Sequence, residues 1–261
     1  MNKFRMFLFL LMMCKSVLAQ TDIDPCEQGL LTLVNRPSTT GSPCAVPNKA
    51  TVVEGGYQYL NLSGGASGYI APISEVRFGL PGHNEFSIIL PTYFHQSTSP
   101  SAGWSAVSVS AKHELAYGEN WVSTFEGVLT VPSGSHSYGS QSPGGQINGI
   151  GTYAFGPVFS LTGTLGVMSQ SVQYLQNGAR YASINPDVFA SWQLTDKWLT
   201  FLEWFGQSRT APGKGAGMVV DTGVFYLLTP KLSVDLELGQ RLSGVWGFQS
   251  YASAGFGWLL G

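Results

Sequence analysis

The segment KLSVDLELGQRL, from Lys231 to Leu242, decides the fold. Its large apolar residues all fall on one side of an extended chain: Leu232, Val234, Leu236, Leu238 and Leu242. The residues between them are polar, charged or glycine, and this period of two predicts a β-strand with one apolar face. Typical strands have about 5–6 residues, whereas a tilted strand crosses the hydrocarbon of a bilayer with about 9–11. The length of the segment therefore favours a membrane strand.

The same alternation recurs along the chain from residue 51 onward. We predict twelve strands, at residues 51–61, 69–80, 84–94, 104–116, 120–132, 147–156, 159–171, 183–194, 197–208, 217–228, 231–242 and 249–260. Tight turns such as Pro81-Gly82-His83 and Thr229-Pro230 alternate with longer loops, the longest at Ser133–Gln146. This alternation is typical of outer-membrane barrels. The predicted fold class is all-β, an antiparallel transmembrane β-barrel of about 12 strands over residues 51–261, with a soluble β-sandwich as the alternative.

The composition favours lipid as the surroundings of these strands. Only 11% of the residues are charged, against about 25% in soluble domains, which makes an ordinary soluble enzyme a poor interpretation. Disorder is disfavoured because 44% of the residues are hydrophobic and the net charge is only −2. Lys and Arg number 13 against 15 Asp and Glu, so nucleic acid is not expected as a partner.

The first 19 residues have the features of a secretory signal peptide. Lys3 and Arg5 precede the apolar run Met6–Met13, and Val17 and Ala19 occupy the −3 and −1 positions of a small-residue cleavage site. The apolar run is too short to cross a bilayer as a helix. We predict cleavage after Ala19, export to the periplasm and a final location in the outer membrane of a Gram-negative bacterium.

Residues 20–50 lie between the signal peptide and the predicted barrel, and they contain Cys26 and Cys44. A pair of cysteines in an exported chain predicts a disulfide. A metal site is the weaker alternative, because two cysteines without a nearby histidine provide only half of a zinc site. The sequence leaves three roles open for this short stapled segment: a plug inside the barrel, a cap at its periplasmic mouth, or a plain tether.

The charged residues of the predicted strands fall on the polar faces. A basic residue that faces lipid at the bilayer midplane costs about 2–4 kcal/mol, and an acidic residue costs less. We therefore expect these side chains to face the lumen. The predicted lumen-facing residues are Glu54, Glu75, Arg77, Lys112, Glu114, Glu126, Asp187, Glu203, Asp221, Asp235 and Glu237. The expected interior is mixed in charge but acidic.

We predict no catalytic residue, metal site or cofactor, and hence no enzyme. The histidines have no metal-ligand spacing, and His136-Ser137 lacks the His-x-Ser-Asn signature of outer-membrane phospholipases. Paired carboxylates such as Asp235 and Glu237, two residues apart, line one wall of a strand. A glycosidase needs carboxylates that face each other across a cleft.

Four segments resemble a known family. They are SEVRFGLP (74–81), FASWQLTDKWLTFLEWFGQS (189–208), VVDTGVFYLLTPKLSVDLELGQRLSG (219–244) and SYASAGFGWLL (250–260). Over about residues 51–261 the chain resembles the outer-membrane β-barrel family that is named for the MetA pathway of phenol degradation and labelled as a transporter. The resemblance implies an outer-membrane barrel linked to the uptake of small hydrophobic or aromatic compounds.

Two functions from different classes remain open. The first is a channel or transporter for small solutes, and the second is a structural or surface-interaction barrel with a filled lumen and no transport. Eight strands close on packed side chains and 16–18 leave an open channel, so twelve predict a narrow or blocked bore. The expected partners are bilayer lipid, an unidentified small solute, and the barrel-assembly machinery, which would recognise the C-terminal strand 249–260.

Overall fold

The structure is a computed structural model, and it describes residues 24–172 and 177–261. The predicted signal peptide, residues 1–19, lies outside the described residues. From Thr51 onward the described chain consists of antiparallel strands joined by turns and loops. The strands are β1 (Thr51–Leu62), β2 (Ser67–Leu80), β3 (Asn84–Ile89), β4 (Tyr93–Gln96), β5 (Ala102–Trp104), β6 (Ser108–Gly118), β7 (Trp121–Thr130), β8 (Gly144–Ala154), β9 (Phe159–Ser171), β10 (Arg180–Thr195), β11 (Trp198–Gln207), β12 (Gly217–Thr229), β13 (Leu232–Gly244) and β14 (Phe248–Leu260).

The sheet closes on itself because β1 pairs with both β14 and β2. The short strands β4 and β5 continue β3 and β6, so they do not count as additional strands of the barrel. Leu80 pairs with Asn84 and Gly68 with Gln96, so β3 and β4 follow β2 in one register. When β3 with β4 and β5 with β6 are each counted as one strand, the ring has twelve strands. The predicted closed 12-stranded barrel is therefore confirmed.

The two ends of the barrel differ in their connections. We call the end at which β1 begins and β14 ends the turn end. Its connections are the predicted tight turns, such as residues 81–83 and 230–231. The opposite end, which we call the loop end, carries the longest connection of the described strands, residues 131–143. β8 begins at Gly144, three residues before the predicted start, because its ladder with β7 already forms at the Thr130–Gly144 pair.

The outer face of the ring is apolar. In β13, Leu236 and Leu238 are 60% and 64% exposed. Asp235 and Glu237, which precede them in the sequence, are only about 5% exposed. Aromatic rings gather near both ends, with Trp198 on Tyr226 at the turn end and Tyr93 on Trp104 at the loop end. Exposed leucines between two aromatic girdles are the surface that a barrel presents to lipid.

No helix in the described residues is long and apolar enough to cross a bilayer.

Candidate functional site

The segment Asp24–Ala50, which we call the N-terminal segment, precedes β1 and lies against the inner face of the ring. It contains a 3-10 helix at Pro25–Gln28 and a single helical turn, α1 (Leu30–Leu33). The predicted bridge between Cys26 and Cys44 is present, with the two Cα atoms 5.2 Å apart. Because the bridge joins the start of the segment to its last third, the chain between them folds back as one compact loop.

The predicted lumen-facing residues lie on the face opposite the exposed leucines. Two of the eleven, Glu75 and Glu126, are half-buried. The other nine are buried: Glu54, Arg77, Lys112, Glu114, Asp187, Glu203, Asp221, Asp235 and Glu237. Seven of the eleven contact the N-terminal segment directly: Glu54, Glu75, Arg77, Lys112, Glu114, Glu203 and Asp235.

Arg77, at 0% exposure, is the centre of the contact between the segment and β1–β3. Its guanidinium donates two hydrogen bonds to Glu85, at 2.8 and 2.9 Å, and one to Glu54 at 3.0 Å. The remaining two N–H groups bond the carbonyl oxygens of Leu33 and Cys44 in the segment. All five donors of the guanidinium are thus used, which offsets the cost of burying its charge.

The same carboxylates also accept backbone N–H groups of the segment. Glu54 accepts from Asn35 at 3.0 Å and Arg36 at 2.7 Å, and Glu85 accepts from Val46 at 2.8 Å. On β6, Lys112 donates to the Ser42 carbonyl at 2.8 Å. We call this part of the interior, on β1, β2, β3 and β6, the anchored wall. Here each buried charge has a partner of opposite sign or a backbone group.

Glycines on the inner face make room for the segment. Gly56 on β1 pairs with Gly255 on β14, and the guanidinium of Arg36 lies over both. A Cβ atom at either glycine would lie 2.3 Å from that guanidinium. In this position the Arg36 guanidinium donates hydrogen bonds to the Asp235 carboxylate at 3.2 Å and to the Ser253 hydroxyl at 2.9 Å.

A third contact lies on β11. Glu203, at 0% exposure, accepts hydrogen bonds from the Ser38 hydroxyl, the Thr39 N–H, and both the N–H and the hydroxyl of Thr40, at 2.8–3.1 Å. Apolar contacts continue onto β12, where Phe225 packs with Leu30 and Val34. The segment is therefore attached to strands on several sides of the ring, which places it inside.

The strands β8, β9 and β10 differ from the anchored wall, and we call their inner face the open wall. Within residues 24–172 and 177–261, Asp187 lies beside Thr40 of the N-terminal segment, whose hydroxyl is bonded to Glu203, and the open wall has no further polar contact with the segment. Buried polar atoms there lack partners: the Thr164 hydroxyl, the Asn185 side-chain oxygen and both carboxylate oxygens of Asp187. Polar groups without protein partners, beside a cavity, are available to water or to a solute.

Two cavities flank the N-terminal segment. The outer cavity, of about 450 Å³, is bounded by Asn35–Gly41 and by residues nearer the loop end, among them Gln146, Thr164 and Asp187. The inner cavity, of about 880 Å³, opens among the turns at the other end and is lined by Leu30, Trp121, Phe159, Phe189 and Phe225. Ser38 and Gly41 line both cavities, so this stretch of the segment is what separates them.

Sequence reasoning missed two inner residues that hold this arrangement together. Glu85, two residues before Ser87 on the buried face of β3, is the main ion partner of Arg77. Tyr251 on β14 is 6% exposed, and its hydroxyl lies 2.6 Å from Asp221 and 2.8 Å from Glu237. The period of two could have found both residues. It puts Glu85 on the same face as Ser87, and it puts Tyr251 on the face opposite Phe256 and Trp258.

The geometry defines a class of protein: a closed 12-stranded outer-membrane β-barrel with a lipid-facing belt and a chain segment folded against its polar interior. Residues 34–248 match the family described as "Putative MetA-pathway of phenol degradation". The chain belongs to that family, as the resemblance predicted. The match begins inside the N-terminal segment, so the segment from Val34 onward is part of the family pattern. The predicted location in the outer membrane of a Gram-negative bacterium is confirmed with the fold.

Solved outer-membrane proteins share the fold. An outer membrane channel from Pseudomonas putida F1 superposes with a TM-score of 0.68 at 11% identity, covering 86% of this chain and 99% of that one. The NanC porin superposes with a TM-score of 0.54 at 14% identity, covering 80% and 98%. The KdgM porin, solved in complex with disordered oligogalacturonate, gives 0.50 at 11% identity, covering 78% and 98%. No curated protein sequence matches this chain.

Proposed function

We propose that this protein is an outer-membrane channel for small solutes and that its N-terminal segment, Asp24–Ala50, is a plug that sets the width of the bore. Of the three roles that the sequence leaves open, the contacts favour the plug over a cap or a tether. The segment bonds to inner side chains on β1, β2, β3, β6, β7, β11, β13 and β14. Similarity in fold to channels and porins supports the same function.

The observation that carries the proposal is the pair of cavities that meet at Ser38–Gly41. A solute that enters at the loop end would reach the outer cavity, pass between this stretch and the open wall, and leave through the inner cavity. The passage has partner-free groups on Thr164 and Asp187 along one side. A small movement of the segment would widen it without breaking the bonds at the anchored wall.

The linings of the two cavities suggest the class of solute. The carboxylates Glu54, Glu75 and Glu126 line the outer cavity, with Lys112 and Arg36 as cations, so its field disfavours anions. Aromatic and aliphatic side chains line the inner cavity, among them Trp121 and Phe189. We therefore propose small uncharged or cationic solutes, and among these the hydrophobic or aromatic compounds that the family resemblance implies.

The channel function is tested by solute entry into liposomes that contain the refolded chain 20–261, with empty liposomes as the control. Entry of a small sugar such as arabinose supports a pore. Thr164→Trp puts a large side chain into the passage and is expected to reduce entry severalfold. Leu165→Trp, at the adjacent lipid-facing position with 59% exposure, is the matched control and should leave entry unchanged. No entry of any solute would favour the structural barrel with a filled lumen.

The solute class is tested separately, with ion selectivity and a pair of amino acids of similar size. In planar bilayers with a KCl gradient, the reversal potential should have the sign of a cation-preferring pore. Phenylalanine is expected to enter liposomes faster than glutamine if the apolar inner cavity selects the solute. A preference for chloride, or equal entry of the two amino acids, would contradict the solute class without contradicting the pore.

We further propose that β14 is the strand through which the barrel-assembly machinery recognises the chain. Ala252, Ala254, Phe256, Trp258 and Leu260 alternate along it, and it is the last strand to close the ring against β1. Site-specific photocross-linking from Trp258 during assembly in cells should capture the machinery. The same probe at Trp198 on β11 should not, and equal capture at both positions would refute the assignment.

A further inference from the structure

A cluster of three carboxyl groups lies on three adjacent strands of the barrel, beside the N-terminal segment. Glu203 on β11 pairs directly with Asp221 on β12, and Glu237 on β13 pairs with Gly223, two residues further along β12. One oxygen from each carboxylate lies within 4.8 Å of the others. The three residues are 0%, 2% and 4% exposed. Three carboxyl groups are therefore gathered in a space that is largely closed to bulk water.

The protein groups around the cluster do not neutralise it. Within the described residues, no Lys, Arg or His nitrogen forms an ion pair with Glu203, Asp221 or Glu237. The Tyr251 hydroxyl lies within hydrogen-bond distance of both Asp221 and Glu237. A hydroxyl has only one proton to donate, so one of these two carboxylates has no donor from Tyr251.

A second observation points to a missing ligand at this place. The Oδ1 atom of Asp221 is buried and has no hydrogen-bond partner. Asp187 on β10 is 6% exposed, neither of its oxygens has a hydrogen-bond partner of ordinary geometry, and its side chain lies beside Glu203 and Thr40. Asp187 and Glu237 both line the outer cavity, so the cluster can be reached from that cavity. Buried polar atoms are almost always satisfied in folded proteins.

The spacing suits one hard cation. Calcium binds oxygen ligands at about 2.3–2.6 Å, so oxygens on opposite sides of one ion lie up to about 5 Å apart. The cluster offers only carboxylate oxygens, which select calcium, magnesium or manganese over the softer transition metals. Calcium accepts irregular ligand geometry, whereas magnesium demands a near-ideal octahedron. The other groups of candidate ligands are less suitable, because Cys26 and Cys44 are joined in a disulfide and His83 is bonded to Glu114.

We propose that Glu203, Asp221 and Glu237 bind one calcium ion inside the barrel, with Asp187 as an additional oxygen donor from the neighbouring strand. The ion would join β11, β12 and β13 and would also fix Thr39 and Thr40 of the plug, which are bonded to Glu203. The site is independent of transport: it would exist in a channel and in a closed structural barrel.

The test is calcium binding by the refolded chain 20–261, washed with EDTA and free of lipopolysaccharide. Equilibrium dialysis with radioactive calcium should give about one ion per barrel. Asp221→Asn should weaken binding about tenfold or more, since ligating groups and even their outer partners change affinity by such factors. Asp196→Asn, at an exposed turn, is the matched control and should bind as the parent does.

A thermal measurement keeps the proposal falsifiable if the first variant does not fold. Calcium should raise the melting temperature of the parent barrel, EDTA should reverse the rise, and Glu237→Gln should remove it. No stoichiometric calcium binding by the parent barrel would overturn the proposal. Binding that survives unchanged in both folded variants would overturn the assignment to this cluster.

Discussion

The anchored wall and the open wall of the same barrel differ in whether their buried polar side chains have partners. On the anchored wall, Arg77 uses all five donors on Glu54, Glu85 and two carbonyls of the N-terminal segment. On the open wall, Asp187 is equally buried and has no partner. The difference teaches that the segment is fixed to most of the ring, from β11 through β14 and β1 to β7, while β8, β9 and β10 keep unsatisfied polar groups beside a cavity.

The largest effect should come from breaking the anchored wall at its centre. Arg77→Met leaves Glu54 buried without a cation and Glu85 with only Lys112, 3.9 Å away, and removal of one partner of a buried ion pair costs about 3–5 kcal/mol. Asp187→Asn on the open wall replaces an unpartnered carboxyl group and should be neutral or stabilising. Urea unfolding in lipid vesicles, with EDTA present, measures both. Equal losses of stability in the two variants would refute the contrast between the walls.

The disulfide should be the next largest contribution. Cys26 and Cys44 are 18 residues apart in sequence, and a bridge over such a loop is worth on the order of 3 kcal/mol in the chain-entropy model. The double variant Cys26→Ser and Cys44→Ser should release the segment but leave the ring closed, because β1 and β14 pair without it. Thermolysin, which cuts before large apolar residues, should then cut at the buried Leu30 and Leu33 many times faster, while the ring stays folded. Unchanged cleavage would mean that the wall contacts alone hold the segment.

A smaller effect is expected from filling the space over Gly56 and Gly255 that the Arg36 guanidinium occupies. Gly255→Val places side-chain atoms where the guanidinium lies, and such overpacking costs about 1–3 kcal/mol. Gly149→Val, at an outward position with open space around it, is the control. Single-channel recordings should show more frequent opening for Gly255→Val only. If both glycine variants conduct like the parent, Arg36 does not hold the segment in place.

The sequence is sufficient to predict the strands but not the contents of the lumen. A period of two, read over ten or more residues, reports which side chains share a face, and it locates Glu237 and Leu238 correctly on opposite faces. It cannot report which charges meet inside the lumen, because ion partners such as Arg36 and Asp235 are 199 positions apart and share no pattern. The Cys26–Cys44 bridge was predictable from the export context alone.

The path of the N-terminal segment was beyond sequence reasoning for a similar reason. Asn35, Arg36 and Thr40 have no periodicity, and their hydrogen bonds go to strand residues 18 to 217 positions away. Plug, cap and tether therefore have the same local sequence signature. The inward glycines at 56 and 255 are the residues that record the close approach of the segment, and only their pairing across β1 and β14 makes this evident.

The most direct test compares the reactivity of a cysteine placed under the N-terminal segment with one on the open wall, in the chain 20–261, where Cys26 and Cys44 are joined in the disulfide. Thr124→Cys lies under the segment, where the Thr124 hydroxyl bonds the Pro43 carbonyl at 2.5 Å. Thr164→Cys faces the outer cavity on the open wall. With a cationic thiol reagent added to the folded barrel, Thr164→Cys should react at least tenfold faster than Thr124→Cys. Equal rates, or faster reaction at residue 124, would contradict a segment that covers the inner face at β7 and leaves β8, β9 and β10 open.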